Sequence, residues 1–464
     1  MLLSEVAKLR NGDFDESLIE ATINNYKMQM MRSFEENESR AMLYVYSFIN
    51  GADWADEVQQ LDRMSKITKQ DVVDWANKYL GPESYAIVYK REGKDPNEQK
   101  IAAPKITPIV TNRDSQSEFL TEIQNSKVEP IEPVFVDYKK DMSQFEAQKG
   151  VNVLYKKNET NDIFTLIYVF NTGTENDPAL NLAFDYLSYL GTDKMSAEQI
   201  ASEMYAIACS FGLSAGTNQS WIEVSGLSEN MGKAMEIVEG LIAGAQPNEE
   251  ILQNLKGDMI KSRADAKLNQ SRCFGALQRY MIYGSDFIRR TTLTDPALQG
   301  LTSEQLLAKI GDLMGKQHEV LYYGPQDEAE VKAALTAHHK VAADLQPLEK
   351  KFSTLQPTDE NKVMLAQYDA KQLYYMQYSN RGEKFDLAAD PQITLYNEYF
   401  GGGMNTIVFQ EMREARGLAY SAWANLAIPT NAKGDYYYMA FIATQNDKMQ
   451  KLSLIHISEP TRRY

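Results

Sequence analysis

Few residues in this chain have the types and spacing that chemistry needs. The four histidines are His318, His338, His339 and His456. Hydrolytic zinc chemistry wants two imidazoles on one helical face with a carboxylate close by, and no two of these are four residues apart. His338 and His339 are adjacent on an expected helix, so they diverge by about 100° and cannot easily share one ion. The histidines are therefore expected on the solvated surface, and no zinc site is expected from this chain's own residues. Cys209 and Cys273 are the only cysteines, too few for a disulfide framework or a thiolate metal site. Each is expected to be a small buried side chain.

Two further features lie close together. Gly401-Gly402-Gly403-Met404 opens a helix and has the outline of a phosphate cradle. It lacks a following Gly-Lys-Ser/Thr and no strand–loop–helix nucleotide unit surrounds it. A tight turn, or a glycine stretch touching an extended ligand, is expected instead. Beyond it a helix is expected to end near Arg416-Gly417 and a strand to begin. That puts Arg413 in the last helical turn and Tyr420 early on the strand, where both could reach one spot at the sheet edge. By spacing alone, a surface arginine and a half-buried tyrosine are the default reading.

The elements that must position these residues are organised by a repeat. Ile67-Thr68-Lys69-Gln70-Asp71 resembles Leu301-Thr302-Ser303-Glu304-Gln305 at an offset of 234, and Ile49-Asn50-Gly51 resembles Ile282-Tyr283-Gly284 at 233. Residues 14–91 and 247–325 thus read as copies of one unit. Ile19, Ile23, Tyr26 and Met30 step by helical intervals along one apolar face. Thr68 with Asp71 forms a capping-box pattern that opens a second helix, Gly81-Pro82 stops it, and Tyr85 to Tyr89 reads as a buried strand. A weaker third copy aligns Asp177-Pro178 with Asp390-Pro391 and Gly212-Leu213 with Gly417-Leu418. The expected fold is α+β: tandem homologous units, each a mainly antiparallel sheet with helices packed on one face.

The repeat divides the chain. Residues 1–95 read as the C-terminal part of one unit and 96–133 as a linker, whose Pro96, Pro104, Pro108, Pro130 and Pro133 suit an extended path rather than a helix. Residues 134–326 read as a whole unit, 327–357 as a connecting helix and loop, and 358–451 as most of a further unit. Residues 452–464, Leu-Ser-Leu-Ile-His-Ile-Ser-Glu-Pro-Thr-Arg onward, have no counterpart in the repeat. They resemble a translated sequencing adapter, with an ordinary strand and polar tail as the bland alternative. On the same count the first unit lacks its front, which makes Met1 an expected internal methionine.

Composition narrows the classes of function. At 464 residues with 43% apolar and 24% charged residues, the chain has the make-up of a globular protein with several cores. Its net charge of −16 repels phosphate at long range, which disfavours nucleic acid or anionic lipid as a general partner. No apolar run is long enough for a membrane span, and the first residues lack the basic and apolar regions of a signal peptide.

The stretch from Tyr399 to Ala422, with its glycine turn, helix and Arg413-Glu414-Ala415-Arg416-Gly417-Leu418-Ala419-Tyr420, resembles the C-terminal signature of the pitrilysin/insulinase family of zinc metallopeptidases. The similarity extends over residues 1–451 and is nearest to the long bacterial form, with four homologous units in one chain. The resemblance implies that units two, three and four are present in part or whole and that unit one, with the inverted zinc motif His-x-x-Glu-His, is not. It further implies that the later units wall a chamber for unfolded peptides, where an arginine and a tyrosine seven residues apart bind substrate and help stabilise the oxyanion. Only Arg413 and Tyr420 match that spacing. The departure lies in Asn181-Leu182-Ala183-Phe184-Asp185-Tyr186-Leu187-Ser188-Tyr189, which occupies the place of the zinc motif without a histidine. The implied protein is the non-zinc half of a zinc peptidase acting on peptide substrates, inactive alone and completed by an N-terminal zinc-bearing half. The alternative is a non-catalytic scaffold paired with a separate zinc-bearing subunit. A bacterial periplasm or cell envelope location would suit the family.

Overall fold

The computed structural model describes residues 2–449 apart from 82, 84, 94–98, 100, 106, 108–114, 349–350, 352 and 416. The adapter-like tail, His456, Pro96 and Pro108 lie outside the described residues. The chain divides into two compact units, Met1–Ile23 with Tyr44–Ser143, and Asn24–Leu43 with Gln144–Tyr464.

The first unit is helical among the described residues. Helix α1 spans Leu2–Asn11, α2 Ser17–Glu35 and α3 Asn37–Asn50, the last two each crossing into the second unit; α4 (Trp54–Val58), α5 (Gln60–Met64), α6 (Lys69–Tyr79) and α7 (Glu118–Asn125) follow. The expected capping box opens α6: Thr68 accepts from the Asp71 amide while the Asp71 carboxylate accepts from the Thr68 amide at 2.9 Å. Asn77 on α6 donates to the Arg10 carbonyl at 2.8 Å, which ties α6 to α1. Helix α7 falls inside the proline-rich stretch, in its proline-free middle, where Ser117 caps it. A wholly extended linker is thus not what this chain forms.

The expected strand at Tyr85 to Tyr89 is absent. These residues are irregular, with Tyr85, Ile87, Val88 and Tyr89 all exposed. The reason is visible in the second copy, where the matching strand is an inner one flanked on both sides. A lone strand leaves its amides and carbonyls unpaired, and among the described residues 85–89 has no neighbouring strand.

The second unit holds two sheets. Its elements run β1 (Ser143–Gln148), β2 (Val151–Lys157), β3 (Ile163–Phe170), α8 (Leu180–Leu187), α9 (Ala197–Ala206), β4 (Cys209–Ala215), β5 (Ser220–Leu227), α10 (Met231–Gly244), α11 (Glu249–Lys267), α12 (Gln270–Thr291), α13 (Asp295–Gly300), α14 (Ser303–Met314), β6 (His318–Gly324) and α15 (Glu328–His338). Then come β7 (Gln372–Ser379), α16 (Asp390–Phe400), α17 (Ile407–Phe409), β8 (Ala419–Ala427) and β9 (Tyr437–Gln445). The larger sheet is ordered β1-β2-β6-β3-β5-β4, with β6 parallel to β2 and antiparallel to β3. The smaller is ordered β7-β9-β8 and is antiparallel. The expected α+β architecture of mainly antiparallel sheets and packed helices is borne out.

Alternation builds the core. On β3, Phe164, Leu166, Tyr168 and Phe170 are buried on one face while Thr165, Ile167 and Val169 are half-buried on the other. Helix α8 closes the first face with Leu182, Ala183, Phe184 and Leu187, each large apolar side chain contributing about 1.5–3 kcal/mol. The Tyr186 hydroxyl accepts from the Asn248 amide at 2.6 Å and donates to Ser303 at 2.8 Å, so α8 is fixed to the starts of α11 and α14. The copies share local geometry as well. Helices α2, α3 and α6 have counterparts in α11, α12 and α14, and α14 opens with the same capping box, Thr302 with Gln305. Gly51 and Gly284 both sit at positive φ, +63° and +78°, where a side chain would be strained.

Candidate functional site

The segment that carries Arg413 and Tyr420 is anchored to the smaller sheet by backbone contacts. After α16, Gly401 passes so close to β8 that its carbonyl accepts from the Ala424 amide at 3.3 Å. An added Cβ there would overlap the Ala424 carbonyl oxygen. Asn397 completes the attachment, donating to the Leu426 carbonyl at 3.0 Å and accepting from the Leu426 amide at 2.9 Å. Residues 401–406 are therefore a tight turn, as one sequence reading expected, and the helix begins only at Ile407, behind Thr406. Gly401 makes its close approach to the backbone of β8, whereas a Cβ on Gly403 would meet nothing within 4 Å.

From Gln410 to Ala415 the helix widens into a π-helix, a rare form found often at functional sites. Met412 pins it by packing with Ala419, Ala422 and Ile442. Gly417 then takes φ +55°, its amide donating to the Arg413 carbonyl at 3.0 Å, and Lys448 donates to the Gly417 carbonyl at 3.0 Å. These contacts reverse the chain between the π-helix and β8, so residues seven apart in sequence become neighbours.

Tyr420 is the extra residue of a β-bulge: Ala419 pairs with Thr444 and Ser421 with Ala443, leaving Tyr420 without a partner on β9. A bulge re-aims the side chain it carries. Tyr420 is accordingly 77% exposed rather than half-buried. The Arg413 guanidinium sits 5.2 Å from the Tyr420 ring centre and 4.8 Å from that of Phe409, stacked between the two, a geometry that favours a cation through the ring quadrupoles. Glu414 lies 3.5 Å from Arg413 Nε. The structure thus brings the two sequence-predicted residues together and adds Phe409 and Lys448, which spacing alone did not single out. Phe409 could have been read from its place one helical turn before Arg413.

Helix α8, which the resemblance aligned with a zinc motif, does not fit a metal. It turns Leu180, Leu182, Ala183, Phe184, Tyr186 and Leu187 into the core. Its one carboxylate, Asp185, is bonded by Asn181 at 3.1 Å and has its pKa raised by burial. Among the described residues no group of three or more His, Cys, Asp or Glu could hold a metal ion. The expectation of surface histidines fails for His318 and His339, which are 4% and 0% exposed. The adjacency of His338 and His339 misled: the divergence that separates neighbouring helical side chains also lets His339 enter the core while His338 stays half-exposed. Of the cysteines, Cys209 is buried as expected and Cys273 only partly so.

The outer face of the six-stranded sheet is the other feature of note. It carries Leu154, Ile167, Val169, Trp221, Leu321 and Tyr323, half-buried or exposed, among Glu223, Glu319 and Lys156. No helix among the described residues is long and apolar enough to cross a membrane.

Comparison with known proteins adds kinship to this geometry. No family model matches the chain. A zinc protease of Streptomyces coelicolor, itself uncharacterized, is 23% identical over 269 residues, which cover 54% of this chain and 56% of that protein. The match thus spans little more than half the length of that relative. Among solved structures, a peptidase M16 inactive domain from Pseudomonas fluorescens superposes with a TM-score of 0.54 at 17% identity, over 69% of this chain and 81% of that one. The periplasmic protease PqqL from Escherichia coli superposes with a TM-score of 0.57 at 14% identity, over 98% of this chain and 53% of that one. The fold is that of such peptidase domains, among them an M16 inactive domain, and the sequence relative is a zinc protease, as the resemblance to a pitrilysin-type peptidase led one to expect.

Proposed function

We propose that this chain is the non-zinc half of a zinc metalloendopeptidase, that it encloses unfolded peptides, and that Arg413 and Tyr420 bind them. The observation that carries the reading is the stacking of an accessible guanidinium on an exposed phenol at a bulged strand. Their N–H and O–H groups are donors of the kind that a peptide carbonyl accepts. If the reacting carbonyl lies against them, its oxygen gains charge as the peptide bond is attacked and both hydrogen bonds strengthen. Interactions of that sort lower the barrier because they favour the transition state over the bound substrate, each by about 3 kcal/mol. Phe409 and the Gly417 turn hold Arg413 in place, so little reordering is needed at the reacting moment. The half-exposed apolar outer face of the larger sheet is surface of the kind that marks binding to another chain.

The zinc ligands must come from elsewhere, from an N-terminal half or a homologous subunit, because α8 offers none. The chain is inactive alone on this reading. A periplasmic or envelope location is proposed with it, in keeping with a structural relative that is a periplasmic protease.

The test combines this chain with a zinc-bearing half, obtained by extending the coding sequence upstream of Met1 or supplied as a separate family subunit. Cleavage of an unfolded fluorogenic peptide is then followed. Tyr420→Phe and Arg413→Ala should each lower kcat by about 100-fold, the loss that removing one oxyanion donor brings. Assembly with no cleavage, or cleavage indifferent to both substitutions, would favour a scaffold instead.

A further inference from the structure

We propose that His318, His339 and Glu239 form a buried proton-binding relay that latches α15 to the larger sheet and opens in acid. The three come from separate elements. His318 is the first residue of β6, His339 follows the last turn of α15, and Glu239 lies on α10. The Nε2 atoms of the two histidines are 2.8 Å apart, and His339 Nδ1 is 2.6 Å from Glu239 Oε1. His318 Nδ1 lies 2.8 Å from the Lys316 carbonyl. The rings are walled by Tyr168, 4.2 Å from the His339 ring, and by Phe170, 4.8 Å from that of His318.

Donor and acceptor rules settle where the protons lie. The Lys316 carbonyl can only accept, so His318 carries its proton on Nδ1 and leaves Nε2 as an acceptor. His339 Nε2 must then donate to it. If His339 were neutral, its Nδ1 would be a lone pair facing a carboxylate oxygen at 2.6 Å. One further proton therefore lies between His339 Nδ1 and Glu239, as an imidazolium against a carboxylate or an imidazole against a carboxylic acid. No metal replaces it: two Zn–N bonds of about 2.0–2.1 Å at a tetrahedral angle set the nitrogens about 3.3 Å apart, wider than the 2.8 Å found.

The latch has a direction in pH. Burial, helped by the neighbouring His339 and opposed by the Lys316 hydrogen bond, lowers the His318 pKa from 6.5 to about 4. A second proton on His318 would set two N–H donors against each other across 2.8 Å and add a positive charge to the core. For His318 itself the depressed value means that its contribution to stability is complete above the ordinary pKa of 6.5 and is lost as pH falls toward 4. The other titratable group facing the relay is Tyr168 on β3, kept neutral by burial. The remaining charged groups on these elements point elsewhere. Lys233 pairs with Glu203, Lys316 with Asp312, Lys340 donates to the Thr336 carbonyl, Glu236, Glu319, Glu328, Glu330 and Lys332 are exposed, and His338 lies half-exposed beside Gly232. Gln148 donates to the Leu335 and His339 carbonyls, so release of His339 frees the end of α15 from β1 as well.

The deciding experiment follows the whole chain, labelled with 15N-histidine, by NMR from pH 8 to pH 4, with amide exchange of α15 measured alongside. His318 should stay neutral with Nδ1 protonated at pH 6, and His339 should show the extra proton on Nδ1 or bonded to it. The opening of α15 should rise up to tenfold per pH unit below 6.5, ahead of the rest of the unit. In Glu239→Gln the side-chain amide can donate to a neutral His339, so the extra proton should vanish while the acid response stays. His318→Gln should remove the acid response; if that variant does not fold, the titration of the unaltered chain decides alone. A His318 that titrates near 6.5, or α15 opening only together with the whole unit, would overturn the proposal.

Discussion

Gly401→Ala tests how the candidate site is held. An ideal Cβ on residue 401 would lie 2.7 Å from both the carbonyl carbon and the amide nitrogen of Ala424 and would overlap its carbonyl oxygen. These are backbone atoms of a strand paired to β9, so they cannot rotate aside. The turn must instead lift away from β8. That movement costs the 3.3 Å hydrogen bond from Ala424 to Gly401 and strains the two bonds between Asn397 and Leu426. Overpacking costs about 1–3 kcal/mol and a lost neutral hydrogen bond about 1 kcal/mol, so a destabilisation of about 2–4 kcal/mol is expected. Gly403→Ala is the control: two residues on, a Cβ meets nothing within 4 Å and φ is unexceptional, so its effect should stay within about 0.5 kcal/mol. Urea unfolding followed by the fluorescence of Trp423 on β8 would measure both. Equal midpoints for the two variants would refute the claim that Gly401 is selected for its approach to the strand.

Three other expectations are simpler to check. Thr68→Ala and Thr302→Ala each remove a capping oxygen and should cost about 1 kcal/mol, seen as faster amide exchange at the starts of α6 and α14. Cys209, buried and with its pKa pushed up to about 12 by desolvation, should resist alkylation at pH 8 while Cys273 reacts; thiol counting should find one reactive group in the native chain and two in denaturant. The carboxylates of Asp71, hydrogen-bonded by Thr68, of Asp286, bonded by Arg289, and of Glu249, bonded by the Ser303 amide, all have lowered pKa values. Their contribution is present above the ordinary carboxylate range and lost as pH falls below about 4. A second acid step should therefore appear below the His318 window, and its absence from a pH series of unfolding midpoints would contradict these assignments.

The sequence by itself determined what depends on near neighbours. Thr68 with Asp71 and Thr302 with Gln305 announce helix starts because a capping box closes within four residues. The apolar steps of α2 and the repeat at offsets of 233 and 234 were equally legible, as was the lack of an imidazole on α8. The seven-residue spacing of Arg413 and Tyr420 marked the candidate pair. It did not tell that a π-helix, a positive-φ Gly417 and a bulge would stack one on the other.

Tertiary structure decided whatever needs a distant partner. Tyr85 to Tyr89 and β6 carry the same kind of apolar run, yet only β6 is a strand, because β2 and β3 take up its amides and carbonyls. His318 and His339, unremarkable in sequence, are drawn into the core by Glu239 and by each other. A hydrogen bond to a group a hundred residues away leaves no mark on local spacing, and the cost of burying an imidazole is met only once that partner is in place.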